Sequence, residues 1–190
     1  MENAGQQLLG ARELDTKIHR LAFEILENHP RSEFAFVGIH RRGVPLARRI
    51  ARVLENERPG IPVGMLDITL YHDDPRSVDV SEAMASTDIP FSPVGRHVIL
   101  VDDVLYTGRT IRAAIDAILD LGRPSRIELA VLVDRGHREL PIQPDYCGLL
   151  RPTGPSEYLR VRLREQDGQD GQDKTNQKPQ GFILKILSIL

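Results

Sequence analysis

Val98–Thr110 reads VILVDDVLYTGRT, and this stretch decides the fold. Val98, Ile99, Leu100 and Val101 are apolar without a break, so His97–Val101 (HVILV) reads as a strand buried on both faces. Two adjacent carboxylates, Asp102 and Asp103, follow at its end, and Val104, Leu105 and Tyr106 lead on into Thr107, Gly108, Arg109 and Thr110. The spacing predicts a helix over Thr110–Leu121, closed by Gly122 and stopped by Pro124. In open parallel sheets, ligands bind beyond the carboxyl ends of the strands. A loop that feeds a helix N-terminus offers free N–H groups and partial positive charge, which suits a phosphate. Gly108 lets backbone come close, and Thr107 and Thr110 add hydroxyl donors. The two carboxylates repel phosphate but accept hydrogen bonds from the 2′- and 3′-hydroxyls of a ribose. The segment therefore matches a ribose 5-phosphate from end to end. An acidic pair alone is a weak signal. The apolar strand, DD, T-G-x-T and helix in succession form a specific one.

The flanking sequence supplies the rest of an α/β pattern. Leu14, Ile18, Leu21, Ala22 and Ile25 recur at helical spacing. Phe34–Ile39 (FAFVGI) reads as a buried strand, Val44–Leu54 as a helix and Val63–Tyr71 (VGMLDITLY) as a strand. Ile127–Val133 (IELAVLV) is a further buried strand. Apolar strands alternating with helices imply a mostly parallel central sheet with helices on both faces. After the first strand, GIHRRG (Gly38–Gly43) combines turn-forming glycines with Arg41 and Arg42, cationic donors for a diphosphate. Asp73–Val94 is polar, carries Pro75, Pro90 and Pro93, and at this length reads as a functional loop or a disordered one.

The chain has 190 residues, 41% hydrophobic and 27% charged, with net charge −2, which fits one globular domain. The charge balance neither demands nor excludes nucleic acid. One cysteine, Cys147, rules out an intramolecular disulfide framework. Met1–Gly10 lacks the basic start and apolar run of a signal peptide, and no stretch is long enough to span a bilayer, so a cytoplasmic protein is expected. The composition shifts to Gln, Asp, Gly, Lys and Asn over Gln166–Gln180. The expected division is a domain over residues 1–165 and a disordered tail over 166–190, dispensable for catalysis. The apolar end FILKILSIL either docks on the body or a partner, or is a poorly ordered end.

Val98–Thr110 resembles the PRPP-binding signature of the type I phosphoribosyltransferases. DDVLYTGRT, together with DITLY (Asp67–Tyr71) and LVDRGHRELP (Leu132–Pro141), resembles one family in particular, the PyrR family of bifunctional pyrimidine operon regulators and uracil phosphoribosyltransferases. The resemblance implies a type I phosphoribosyltransferase fold with a small hood, and conversion of uracil and PRPP to UMP and diphosphate with Mg2+ held mainly by PRPP. It implies Asp102 and Asp103 on the ribose, Thr107–Thr110 on the 5′-phosphate, and His40, Arg41, Arg42 and Gly43 in the diphosphate loop. A flexible loop with Tyr71 and Arg76 would close over the site, and Asp134, Arg135, His137 and Arg138 would form the base-covering hood. The family also implies a homo-oligomer and a UMP-responsive contact with pyrimidine operon mRNA. Lys17, His19, Arg20, Arg48, Arg49 and Arg52 are candidates for that contact, beside His137 and Arg138. Two departures touch the RNA surface: Phe23 follows Ala22 where the family usually has histidine, and Leu149 and Leu150 stand where it usually has lysine and asparagine. A PRPP- or UMP-sensing regulator with little catalysis and a purine phosphoribosyltransferase are the alternatives.

Overall fold

The structure, a computed structural model, describes residues 6–30, 33–69, 87–154, 157–162 and 183–188. Its centre is a five-stranded sheet, all parallel, built from β2 (Phe34–Ile39), β3 (Val63–Leu66), β4 (His97–Leu105), β5 (Arg126–Asp134) and β6 (Tyr146–Leu150). The spatial order is β3-β2-β4-β5-β6. Helices α1 (Ala11–Asn28) and α2 (Gly43–Val53) cover one face, and α3 (Arg109–Leu121) covers the other.

Strand alternation builds the two cores. Ile99 and Val101 of β4 join Leu14, Ile18, Leu21, Leu46 and Ile50 under α1 and α2. Val98 and Leu100 join Ile111, Ala114 and Ile118 under α3. The predicted α1 stripe is buried as expected, and the helix opens with the Gly10 N–H donating to the Glu13 carboxylate at 2.8 Å.

Two strand ends differ from the expectation. β4 continues through the acidic pair to Leu105, because its neighbour β5 keeps the ladder going, with Asp102 opposite Val131 and Leu105 opposite Asp134. β3 stops at Leu66, because the Asp67 side chain accepts the Thr69 N–H at 2.8 Å and folds the backbone into a turn.

The third layer was not expected. β1 (Gln6–Leu9), β7 (Glu157–Arg162) and β8 (Ile183–Ser188) form a small antiparallel sheet of order β1-β8-β7. Leu9, Leu159 and Val161 pack it onto the α1 side of the core. Residues 183–188, placed in the tail by the sequence reading, are thus the middle strand of a sheet, and cutting the chain before Gln166 would remove the partner that β1 and β7 share. Residues 163–182 lie outside the described residues. Among the described residues, no helix is long and apolar enough to cross a membrane.

Candidate active site

The strand order reverses between β2 and β4. β2 leads through α2 to β3 on one side, and β4 leads through α3 to β5 on the other. Their two exit loops diverge and leave a crevice at the carboxyl ends, the place where open α/β sheets bind ligands. Asp102 and Asp103 stand at this crevice.

Both aspartates are buried, each 8% exposed. Asp102 Oδ1 accepts the Asp103 N–H at 2.8 Å. Burial holds the Asp102 carboxyl well above the usual carboxylate range, and the neighbouring Asp103 adds to the rise. Burial also raises Asp103, while Arg42 works against it from 3.5 Å. Asp103 Oδ2 is buried and has no hydrogen-bond partner among the described residues. An unsatisfied buried acceptor costs about 1–3 kcal/mol, so this oxygen is set for a group that the chain does not supply. A sugar hydroxyl or a hydrated hard cation fits it.

Gly108 starts α3 in the left-handed region, at φ 93°, where a side chain would be strained. Arg112 donates its N–H to the Gly108 carbonyl as the first helical bond, and the Thr107 hydroxyl accepts the Arg109 N–H at 3.3 Å. The remaining first-turn N–H groups have no partner inside the helix and face the crevice mouth. From the opposite side, the β2–α2 loop comes in close. A Cβ on Gly43 would stand 2.1 Å from the Val101 carbonyl oxygen, so only glycine permits α2 to start against β4. The His40–Arg41 peptide bond in this loop is cis. Arg41 and Arg42 are exposed, and His40 Nδ1 lies 3.5 Å from Asp67 Oδ2.

The hood residues are present but held. Asp134 accepts the Gly136 N–H at 2.9 Å and Arg138 Nη2 at 2.6 Å. Arg138 further donates to the Ile142 and Tyr106 carbonyls. Arg135 is buried, donates to Thr153 Oγ1 and the Glu157 carbonyl, and lies 3.9 Å over the Tyr106 ring. His137 approaches the Thr153 carbonyl through Nε2. Asp134, Arg135 and Arg138 therefore fix the loop, and the exposed face they present beside the crevice is the Tyr106 ring. Arg109 points its guanidinium to Glu139, 2.6 Å away, instead of over the phosphate loop.

The structure thus brings together Asp102, Asp103, Thr107, Gly108, Arg42 and Gly43. Val98–Val101 form the core strand beneath them, and Val104 and Leu105 carry the strand to the loop. Tyr71 and Arg76 lie outside the described residues. Sequence reasoning missed Asp67, Glu139 and Thr153 as braces. Asp67 and Glu139 lie within the quoted motifs, and for Glu139 an acidic residue among clustered arginines was the available signal.

The chain matches the phosphoribosyl transferase domain family over residues 5–157. It is similar to the bifunctional protein PyrR of Thermus thermophilus, 54% identical over 166 residues covering 86% of this chain and 92% of that one. It is also similar to the bifunctional protein PyrR of a Roseiflexus species, 56% identical over 165 residues covering 86% and 90%. Among solved structures it resembles a hypoxanthine-guanine phosphoribosyltransferase from Bacillus anthracis, with TM-score 0.65 and 18% identity over 98% of this chain and 100% of that one. A hypoxanthine phosphoribosyltransferase of Trypanosoma cruzi superposes with TM-score 0.64 at 19% identity, covering 80% and 85%. At these identities the two structures show the shared fold alone. The chain belongs to the phosphoribosyltransferase domain family and, within it, to the bifunctional PyrR proteins.

Proposed function

We propose that the chain transfers the phosphoribosyl group of PRPP to uracil, releasing UMP and diphosphate. The observation that carries this is the buried Asp102–Asp103 pair, with its unsatisfied Asp103 Oδ2, between the α3 N-terminus and Arg42. Uracil is favoured over a purine because the chain shares more than half its residues with PyrR proteins and under a fifth with the purine enzymes of the same fold.

In this reading Asp102 and Asp103 accept the ribose hydroxyls and stabilise the positive charge that grows on the ring as C1 loses diphosphate. The α3 N-terminus holds the 5′-phosphate through the backbone N–H groups of Thr107–Thr110 and the Thr107 and Thr110 hydroxyls, with the Arg109 side chain turned to Glu139. His40, Arg41, Arg42 and Gly43 form the cradle for the diphosphate, and Arg42 draws it away from the ring. Asp134, Arg135, His137 and Arg138 shape the base side. The carboxylate oxygens of Asp102 and Asp103 are hard donors of the kind magnesium prefers, and the unsatisfied Asp103 oxygen fits such a hydrated cation. Bound magnesium supplies charge neutralisation to the diphosphate. No side chain needs to form a bond to the substrate, since fixed geometry and charge do the catalysis.

The test is UMP formation from uracil, PRPP and magnesium by purified protein, with hypoxanthine and guanine alongside. Turnover of uracil alone is expected. Turnover of a purine instead would overturn the base assignment. PRPP binding without turnover of any base would favour the sensor reading.

A second function, UMP-responsive binding of operon mRNA by a dimer or higher oligomer, rests on the family and on the basic residues of α1 and α2. The two helices adjoin, with Arg49 Nη2 2.8 Å from Asp15 Oδ1. Part of the basic set serves the fold: Arg20 donates to the Cys147 and Gly148 carbonyls at 2.7 and 2.8 Å. Phe23 and Leu150, which replace polar residues of the family, are exposed. Neutralising Arg48, Arg49 and Arg52 together should weaken RNA binding and flatten its salt dependence by about 0.7 for each phosphate left without its arginine. Unchanged binding would reduce this face to a solvated surface.

A further inference from the structure

The amino ends of the same strands hold a second polar cluster. His29 closes α1, His97 opens β4, Glu128 lies near the start of β5 and Tyr146 opens β6. We propose that His29, His97 and Glu128 bind a divalent transition-metal ion of the zinc class.

All three side chains are at least nine-tenths buried, and their ligand atoms lie within 4.8 Å of one another. His29 Nε2 is 2.8 Å and His97 Nε2 3.1 Å from the same oxygen, Glu128 Oε2. Tyr146 Oη is 3.1 Å from that oxygen as well and 2.9 Å from His29 Nε2. Three groups crowd one carboxylate oxygen, and the crowding leaves one of them out. His97 Nε2 is buried with no hydrogen-bond partner among the described residues, despite its 3.1 Å approach. An internal network would have turned that ring to a proper acceptor. A metal ion resolves the conflict, because it takes one lone pair from each of the two imidazoles and the carboxylate.

The geometry suits the ion. Bonds of 2.0–2.1 Å in a tetrahedron set ligand atoms about 3.3 Å apart; the two imidazole–carboxylate pairs, at 2.8 and 3.1 Å, are a few tenths closer, and the whole set lies within 4.8 Å, so the imidazoles draw together on an ion. Two imidazoles and a carboxylate match zinc and its neighbours and are a poor set for magnesium, which prefers oxygen alone. The outer shell is also in place. Arg126 Nη2 holds the other carboxylate oxygen, Oε1, at 2.7 Å and so orients Oε2 inward. His97 and Arg126 also line an open pocket of about 440 Å³ with Gly95, Arg96 and Ser125. The site is independent of the phosphoribosyl chemistry. It lies about 16 Å along β4 from Asp102, five residues at 3.3 Å each. Its effect is structural, since one ion ties the end of α1 to two central strands.

The test uses tag-free, full-length protein dialysed against chelator and titrated with cobalt and with zinc. One equivalent per chain is expected, with the visible absorption of four-coordinate cobalt and a higher melting temperature. Binding should vanish in His97→Gln and in Glu128→Gln, whose folding is checked by circular dichroism. It should persist in Asp103→Asn and in excess magnesium. Absence of stoichiometric binding to the wild-type chain would overturn the proposal, and so would retention of binding in a folded His97→Gln. Loss of cobalt in Asp103→Asn or to magnesium would assign the ion to the other end of the sheet and overturn it equally.

Discussion

The two ends of β4 bury charge in opposite ways. At the carboxyl end, Asp102 and Asp103 are alike in sign and adjacent, and burial raises both. At the amino end, burial also works to raise Glu128, but the hydrogen bond and charge of His29, with His97 and Tyr146, outweigh it and hold the carboxyl below its usual range. The same strand therefore ends in one cluster whose charges the fold opposes and one whose charges it supports. In the first, Arg42 offsets the charge only in part, and such a perturbed pair in a crevice is a candidate binding site. The second holds the layers together, with Glu128 linking α1, β5 and β6 through His29 and Tyr146.

Substitutions at the two ends should separate along this line. Asp103→Asn should lower kcat/KM for PRPP by about 100- to 1000-fold, as expected when a group aimed at transition-state charge is removed. Steady-state kinetics checks it, and near-normal activity would break the assignment. Gly43→Ala drives a Cβ into the Val101 carbonyl and should cost about 1–3 kcal/mol in denaturant unfolding, with PRPP affinity falling as well because the diphosphate loop moves. At the other end, Tyr146→Phe removes a hydroxyl from Glu128 and should cost about 1.5 kcal/mol while leaving PRPP affinity intact. Asp102→Asn should do the reverse of a normal core substitution. The folded pKa of Asp102 is raised, so its protonated form stabilises the fold at low pH, and that contribution disappears as pH rises through the folded value. Removing the charge should raise Tm at pH 7 by about 2–4 °C, the equivalent of about 1 kcal/mol in a chain of this size. The gain should fade below about pH 4, where the unfolded carboxyl is protonated too. Calorimetry across pH checks the sign.

The first of these ends is legible in the sequence and the second is hidden. VILVDDVLYTGRT shows its strand, its acidic pair and its helix start within thirteen residues, so local pattern suffices. His29, His97, Glu128 and Tyr146 come from four separate elements up to 117 residues apart, and only the register of β4, β5 and β6 assembles them. The small sheet was hidden for the same reason. QQLL is too short to show a strand period, and its partner Ile183–Ser188 lies at the far end of the chain, where apolar residues beside a polar run read as a tail. The length of β4 was misread because the acidic pair breaks its apolar run, although backbone pairing with β5 does not depend on side-chain polarity. The roles of Arg109, Arg135 and Arg138 were only half visible. The motifs marked these positions but not their partners Glu139, Thr153 and Asp134, through which two of the three shape the hood.

The most direct test of the comparison is calorimetric titration of PRPP with magnesium into the wild-type chain, Asp103→Asn and Tyr146→Phe. Three results are expected: one site per chain in the wild type, affinity weaker by about tenfold or more in Asp103→Asn, equivalent to about 1.4 kcal/mol, and wild-type affinity in Tyr146→Phe. Equal affinity for all three proteins would contradict the claim that the buried carboxylates at the carboxyl end of β4, with the unsatisfied Asp103 Oδ2, are where PRPP binds.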